Sequence, residues 1–267
     1  MNSPVESIAA AFLAARREVR PLAAFPGPLP QTLAEAYAAQ EAGIALDGRP
    51  VRGWKVAGIA PALRAMAGAE RLAGPVFEGT IRELPAGGGT SVPVIEGGFA
   101  ALEAEFAARF ARDLEPGPGG FTHDVILDAL EGIHAGMEVA SSPLPTLNEV
   151  GPFAVICDRG NNMGAVLGPK LPTWRTASLD QMTSRMEIDG VVVGEGNAAR
   201  VAGGFLASLA FLAGQLASRG RRLRAGDIVL TGMTTGIHQV RPGAQARLVF
   251  GGVPACAVSV VAARASA

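Results

Sequence analysis

The chain has 267 residues, 49% of them hydrophobic, and a net charge of −1; that length can bury one large core or two small ones. No basic stripe is present, which argues against nucleic acid as a partner, and no apolar run is long enough to span a membrane. Cys157 and Cys256 are too few for a disulfide framework and, with only three histidines, offer no zinc spacing; a reducing cytoplasm is expected, with no signal peptide, since no basic leader precedes an apolar core.

Residues 4–20 read as an amphipathic helix with Ser3 as N-cap and Ile8, Phe12 and Leu13 on one face. Pro21 to Pro30 is a proline-rich connector, and Thr32 caps a second helix to about Gly43. Asp47-Gly48 turns into a short strand, Val51 to Gly58, on which Lys55 lies opposite Trp54 and Val56. A short helix around 61–68 leads to Gly74-Pro75-Val76-Phe77, and the glycines at 87–89 mark a linker or hairpin. Lys55 and Lys170 are the only lysines among 23 basic residues. A lysine retained against that arginine bias can do what arginine cannot, which is to lose its proton when buried.

Residues 102–110 admit two readings. As a strand, Leu102, Ala104, Phe106, Ala108 and Phe110 line one face, and Glu103 and Glu105 point together to the other. As a helix, the same segment places Phe99, Leu102, Phe106 and Phe110 at helical spacing and throws the two glutamates roughly 200° apart. Only the strand pairs the carboxylates into a hard oxygen cage suited to Mg²⁺ or Mn²⁺.

Further along, Thr122 caps a helix to about Leu130. Ile133 to Val139 then alternates as a strand with His134, Gly136 and Glu138 on one side. A lone glutamate between Met137 and Val139 is costly to bury unless it is paired or bound to metal. His134 shares its face, as a support for a ligand or as a satisfied core histidine. Phe153 to Ile156 reads as a strand that breaks at Asp158 to Gly164, with Ala165 to Leu167 as another. Residues 183–195 form a hairpin around Asp189-Gly190, and a buried helix runs from about Ala198 to Ser218, ending at Gly220. Asp227 to Leu230 is a strand ending in Thr231-Gly232, and Val240 to Gly243 turns into a last hairpin, Ala246 to Phe250 with Ala255 to Val260. Late β-structure with few helices makes the class α+β rather than alternating βαβ units.

Gly53-Trp54-Lys55-Val56, Gly74-Pro75-Val76-Phe77 and Glu103-Ala104-Glu105-Phe106 are followed by Arg112-Asp113-Leu114 and Glu138. Then come Asp158 with Asn162 and Gly164, Met186 to Gly190, Ala225-Gly226-Asp227, Thr231-Gly232 and Arg241-Pro242-Gly243. This ordered set resembles the fumarylacetoacetate hydrolase superfamily, and within it the 2-oxo-pent-4-enoate hydratase and 4-oxalocrotonate decarboxylase branch. The resemblance implies a mixed β-roll core with a helical N-terminal region. Residues 1–80 would be that mainly helical region, packed on a catalytic domain of residues 81–267. It selects the strand reading for the glutamate segment. It further implies Glu103, Glu105 and Glu138 as ligands of Mg²⁺ or Mn²⁺, Lys55 as the catalytic proton-transfer group or carboxylate anchor, and Asn162, Gly164, Thr231 and Gly232 as substrate-binding residues.

The substrate so implied is a small 2-oxo acid, which can chelate the metal through a carboxylate oxygen and the 2-oxo oxygen so that the metal stabilises an enolate. An easily titrated lysine nearby could move the proton. Hydration of a 2-hydroxy-2,4-dienoate in aromatic catabolism is the expected reaction. A decarboxylase, a C–C hydrolase or a non-catalytic partner subunit are the alternatives, because one such site supports all of them. Three positions depart from the branch. Leu72 stands where hydratases carry an aspartate, with Glu70 and Glu78 the nearest acids; Gly203-Gly204-Phe205 replaces a Gly-His-Pro helix opening; and alanine replaces proline between the two glutamates. The resemblance also implies a cytoplasmic homo-oligomer able to associate with a partner enzyme.

Overall fold

A computed structural model describes residues 3–265. Two capped helices come first, α1 (Pro4–Glu18) and α2 (Leu33–Asp47). At the start of α1, Ser3 and Glu6 bond to each other's backbone amides in a reciprocal capping box. There follow β1 (Val51–Gly58), α3 (Pro61–Ala67), β2 (Arg71–Phe77), β3 (Ile81–Glu83), β4 (Gly89–Val94) and the twelve-residue β5 (Phe99–Phe110). The middle of the chain holds α4 (His123–Ala129), β6 (Leu130–Ser142), α5 (Leu147–Val150), α6 (Pro152–Cys157), β7 (Asn162–Lys170), β8 (Thr183–Ile188) and β9 (Val191–Asn197). Helix α7 (Gly204–Ala217) precedes β10 (Ile228–Met233), β11 (His238–Gln239), β12 (Gln245–Phe250) and β13 (Cys256–Ala262).

The strands make two mixed sheets, the larger in the order β2-β1-β10-β5-β6-β7-β3, with β11 also on β5, and the smaller in the order β4-β13-β12-β8-β9. Strands β1 and β10 run parallel although most of the chain separates them. The sheets pack through the side of β5 that carries Leu102, Phe106 and Phe110. Phe106 meets Phe250 of β12 edge to face, with ring centroids 5.2 Å apart, and Met137, Met186, Leu248 and Val258 complete that layer. Burying large apolar side chains between the sheets is what holds β5 extended. Its opposite side is buried as well, so the polar residues there are enclosed.

Two expectations are corrected. Phe153 to Ile156 is helix α6, not a strand: every residue from Pro152 to Cys157 is buried, so the run shows no periodicity, and Pro152 at the first helical turn presets the helical φ. The long helix starts at Gly204 rather than Ala198. Ala198–Arg200 is a separate 3₁₀ turn capped by Asn197, and Gly203 and Gly204, at φ of 70° and 71°, break the chain between them.

Candidate metal centre

The antiparallel pairing of β5 with β6 sets Glu103 directly across from Glu138, and Glu105 across from Gly136 one step along the same face. One carboxylate oxygen from each glutamate lies within 4.8 Å of the others. All three are buried, at 6%, 1% and 0% exposure for Glu103, Glu105 and Glu138. Strand β1 reaches the same face through β10, and Lys55 Nζ lies 2.9 Å from Glu138 Oε2. Over the lysine folds Gly160 (φ 69°); a Cβ there would lie 3.0 Å from Gly74 Cα and 3.1 Å from Lys55 Cδ, so only glycine lets the loop close on it.

The remaining predicted residues fall around the carboxylates. Asn162 donates from Nδ2 to Glu138 Oε1 at 3.0 Å and to the Gly164 carbonyl at 3.2 Å. The Gly232 amide donates to Glu105 Oε2 at 2.6 Å, and the Thr231 hydroxyl donates to the Phe106 carbonyl. Gly164 itself packs on Thr80, whose carbonyl oxygen would sit 2.5 Å from any Cβ. Leu72 pairs with Ala57 on the lysine's side of the sheet and packs in an apolar cluster with Leu144, Leu147 and Phe153. Glu70 and Glu78 are exposed and engage Arg71 and Arg52, so neither brings a carboxylate to the site. His134 bonds away from the glutamates, to the Gly168 carbonyl and to Glu131. The backbone contact from Gly232 to Glu105 has no side-chain signature and escapes sequence reasoning; the glycine after Thr231 at φ 120° is its only trace.

Burial pushes the Glu103 carboxyl up to about 8, helped by the charge of Glu138 and opposed by Lys55. Glu105 is raised well above its ordinary value by burial and then by both neighbouring carboxylates. For Lys55, burial favours the neutral amine, but Glu138, Glu103 and Glu105 outweigh it and raise the lysine. In the metal-free site the neighbouring carboxylates thus favour the ammonium form of Lys55 over the neutral amine.

The family described as fumarylacetoacetate (FAA) hydrolase C-terminal matches residues 80–261, more than half of the chain. The chain belongs to the fumarylacetoacetate hydrolase family. A 2-keto-4-pentenoate hydratase from Burkholderia vietnamiensis is 29% identical over 200 residues, 74% of each protein. A 4-oxalocrotonate decarboxylase from Pseudomonas putida is 32% identical over 142 residues, 53% of each. Among solved structures, a Pseudomonas putida 4-oxalocrotonate decarboxylase complexed with magnesium and adipate superposes with a TM-score of 0.77 at 23% identity, over 96% of this chain and 97% of that one. The fumarylacetoacetate hydrolase fold thus runs through both the family-matched segment and the N-terminal strands that deliver Lys55.

Do the residues of this fumarylacetoacetate hydrolase homologue fit a divalent ion? Three enclosed carboxyl groups, two of them raised by burial and mutual repulsion, face one lysine. Glu138 Oε2, fully buried, accepts no well-directed hydrogen bond despite its proximity to Lys55. All the donors are hard anionic oxygens, with Asn162 and the Gly232 amide steadying two of them from behind. Such a set could hold Mg²⁺ or Mn²⁺, whose charge offsets the surplus on the glutamates.

Proposed function

We propose that the protein is a metal-dependent hydratase that adds water to a 2-hydroxy-2,4-dienoate, or its 2-oxo-4-enoate tautomer, to give a 4-hydroxy-2-oxo acid in aromatic catabolism. The observation that carries this reading is the enclosed trio Glu103, Glu105 and Glu138 with Lys55 against it. The similarity to the Burkholderia hydratase supports it. In this reading the glutamates hold Mg²⁺ or Mn²⁺, which when bound supplies an electrophile for the carboxylate and 2-oxo oxygens of the substrate. Asn162 and Gly232 orient the carboxylates, while Gly164 and Thr231 border the substrate. Lys55 carries a proton on Nζ where charge develops on the substrate, and anchors its carboxylate. Division of labour at residue 80 belongs to the same proposal, with residues 1–80 contributing Lys55 and residues 81–267 the carboxylates, as do a cytoplasmic location, assembly as a homo-oligomer and association with a partner enzyme of the same pathway.

Leu72 favours a second reading. With leucine where hydratases of this branch carry an acid, activation of water has one group fewer, whereas loss of CO₂ from the same chelate needs none. A 4-oxalocrotonate-type decarboxylase follows, with a C–C hydrolase or a non-catalytic partner subunit behind it. Purified protein with Mg²⁺ and 2-hydroxypenta-2,4-dienoate, followed by mass, decides between them. Gain of one water, abolished by chelator, is the expected result. Unchanged substrate together with loss of CO₂ from 4-oxalocrotonate would establish the decarboxylase instead, and no turnover of either would leave the C–C hydrolase and the partner role.

A further inference from the structure

A cavity of about 400 Å³ opens between the N-terminal helices and strands β6 and β7, within the range of small-molecule sites, about 300–1,000 Å³. Arg16, Arg17, Arg49, Arg82, Arg159 and Arg264 line it, with Asp47 as the one acidic residue in the lining. Asn162 and Gly164, which stand at the carboxylate cluster, line it as well, so it adjoins that cluster along β7. Val139, also in the lining, points to the other side of β6 from Glu138, so the arginines and the carboxylates lie on opposite sides of that strand.

The charges do not cancel. Asp47 is shared between Arg49 and Arg159, and Asp158, from behind, takes Arg16. Arg17 and Arg82 reach backbone carbonyls only, and Arg264 makes no hydrogen bond or ion pair among the described residues. Buried Arg16 is held by Asp158 through Nε and Nη2, which leaves Nη1 with the thioether of Met163 at 3.5 Å, a weak acceptor. That thioether contact is one an anionic oxygen could replace with a stronger, charge-assisted bond. The wall is also fixed in advance. Arg49 and Arg159 both stack on Phe77, at 5.1 and 4.7 Å from the ring centroid, and Arg159, Gly160 and Asn161 are all held at positive φ. Burial and the nearby Arg16 charge push Arg159 down to about 10, which still leaves it fully charged near neutrality.

We propose that this cavity is a second ligand site, for a small polyanion with two or more clustered anionic oxygens, carboxylate or phosphate. Planar guanidinium forks recognise both chemistries in the same bidentate way. The site requires neither the metal nor the reaction proposed above.

Thermal unfolding of the full protein with increasing tricarballylate, or with inorganic phosphate, against potassium chloride at matched ionic strength tests this. A saturable rise in Tm beyond the chloride control is expected with at least one probe, and the better probe identifies the oxyanion preferred. The Arg82→Ala/Arg264→Ala variant should bind on the order of tenfold more weakly or worse, since it loses two charge-assisted donors. Arg264→Ala alone, which removes no hydrogen bond or ion pair among the described residues, should weaken binding with little change in the ligand-free Tm. The rise should survive Glu105→Ala. No rise beyond chloride, a rise unchanged in both arginine variants, or a rise abolished by Glu105→Ala would each overturn the proposal.

Discussion

Glu103, Glu105 and Glu138 repel one another wherever all three are ionised, and Lys55 offsets only part of that charge. Removing one of them should therefore leave the apo fold intact while destroying the cage. Glu105→Gln is expected to unfold at the same Tm as the parent or a few degrees higher without metal, to lose the Tm rise that Mn²⁺ gives the parent, and to show no turnover. A circular-dichroism melt with and without Mn²⁺, beside a rate assay, reads all three. A different carboxylate contributes to acid stability. Burial alone would raise Asp47, but Arg49 and Arg159 outweigh it and hold the folded carboxyl below its ordinary value. The stabilisation is then complete above about pH 4, the range in which the unfolded carboxyl titrates, and fades as pH falls through the lower folded value. Asp47→Asn should cost on the order of 1–2 kcal/mol at pH 7, with the gap from the parent closing below about pH 4 in urea titrations.

Strand β5 shows what was legible at the scale of an element. Its phenylalanines and glutamates suited strand and helix alike, and the fact that settles it lies elsewhere in the chain: Phe250, 144 residues past Phe106 in the numbering, supplies the surface on which Phe106 packs. Phe106→Ala should destabilise by about 3–5 kcal/mol in denaturant titration, because it leaves a cavity between the sheets and Phe250 loses its edge-to-face partner. Where local chemistry decides, reading by residue succeeded: the Thr32 and Thr122 caps and the Asp189-Gly190 turn lie where expected. It failed at α6, whose uniform burial erases the periodicity that separates helix from strand, and at the break before α7, which depends on two glycines at positive φ rather than on any apolar pattern. At the candidate site, the side chains were visible in the sequence and their neighbours came from the resemblance. The amide of Gly232 and the protonation of Lys55 were not visible, since both follow from burial and from partners brought by distant strands.

For the whole molecule, a divalent ion bound to the folded cage and not to the unfolded chain must shift the global equilibrium. At an ion concentration 100 times its Kd, the gain is about 2.7 kcal/mol, so EDTA should lower Tm by several degrees and Mg²⁺ or Mn²⁺ restore it. Differential scanning calorimetry on the parent and Glu105→Gln makes the comparison, and a parent indifferent to both additions would contradict the cage.

The parallel pairing of β1 with β10 has a temporal consequence. Gly53 gains Val76 of β2 on one side early, but must wait for Ile228, about 175 residues after it, before its second sheet neighbour exists. At roughly 5–20 residues per second, the ribosome leaves β1 without that partner for about 9–35 s. During that interval Lys55 has carboxylates within reach once β6 is made, but Glu105 has no Gly232 amide to hold it. A nascent chain arrested before β10 should therefore be readily cleaved by protease within β1, and gain protection only when the strand that closes the sheet has cleared the tunnel.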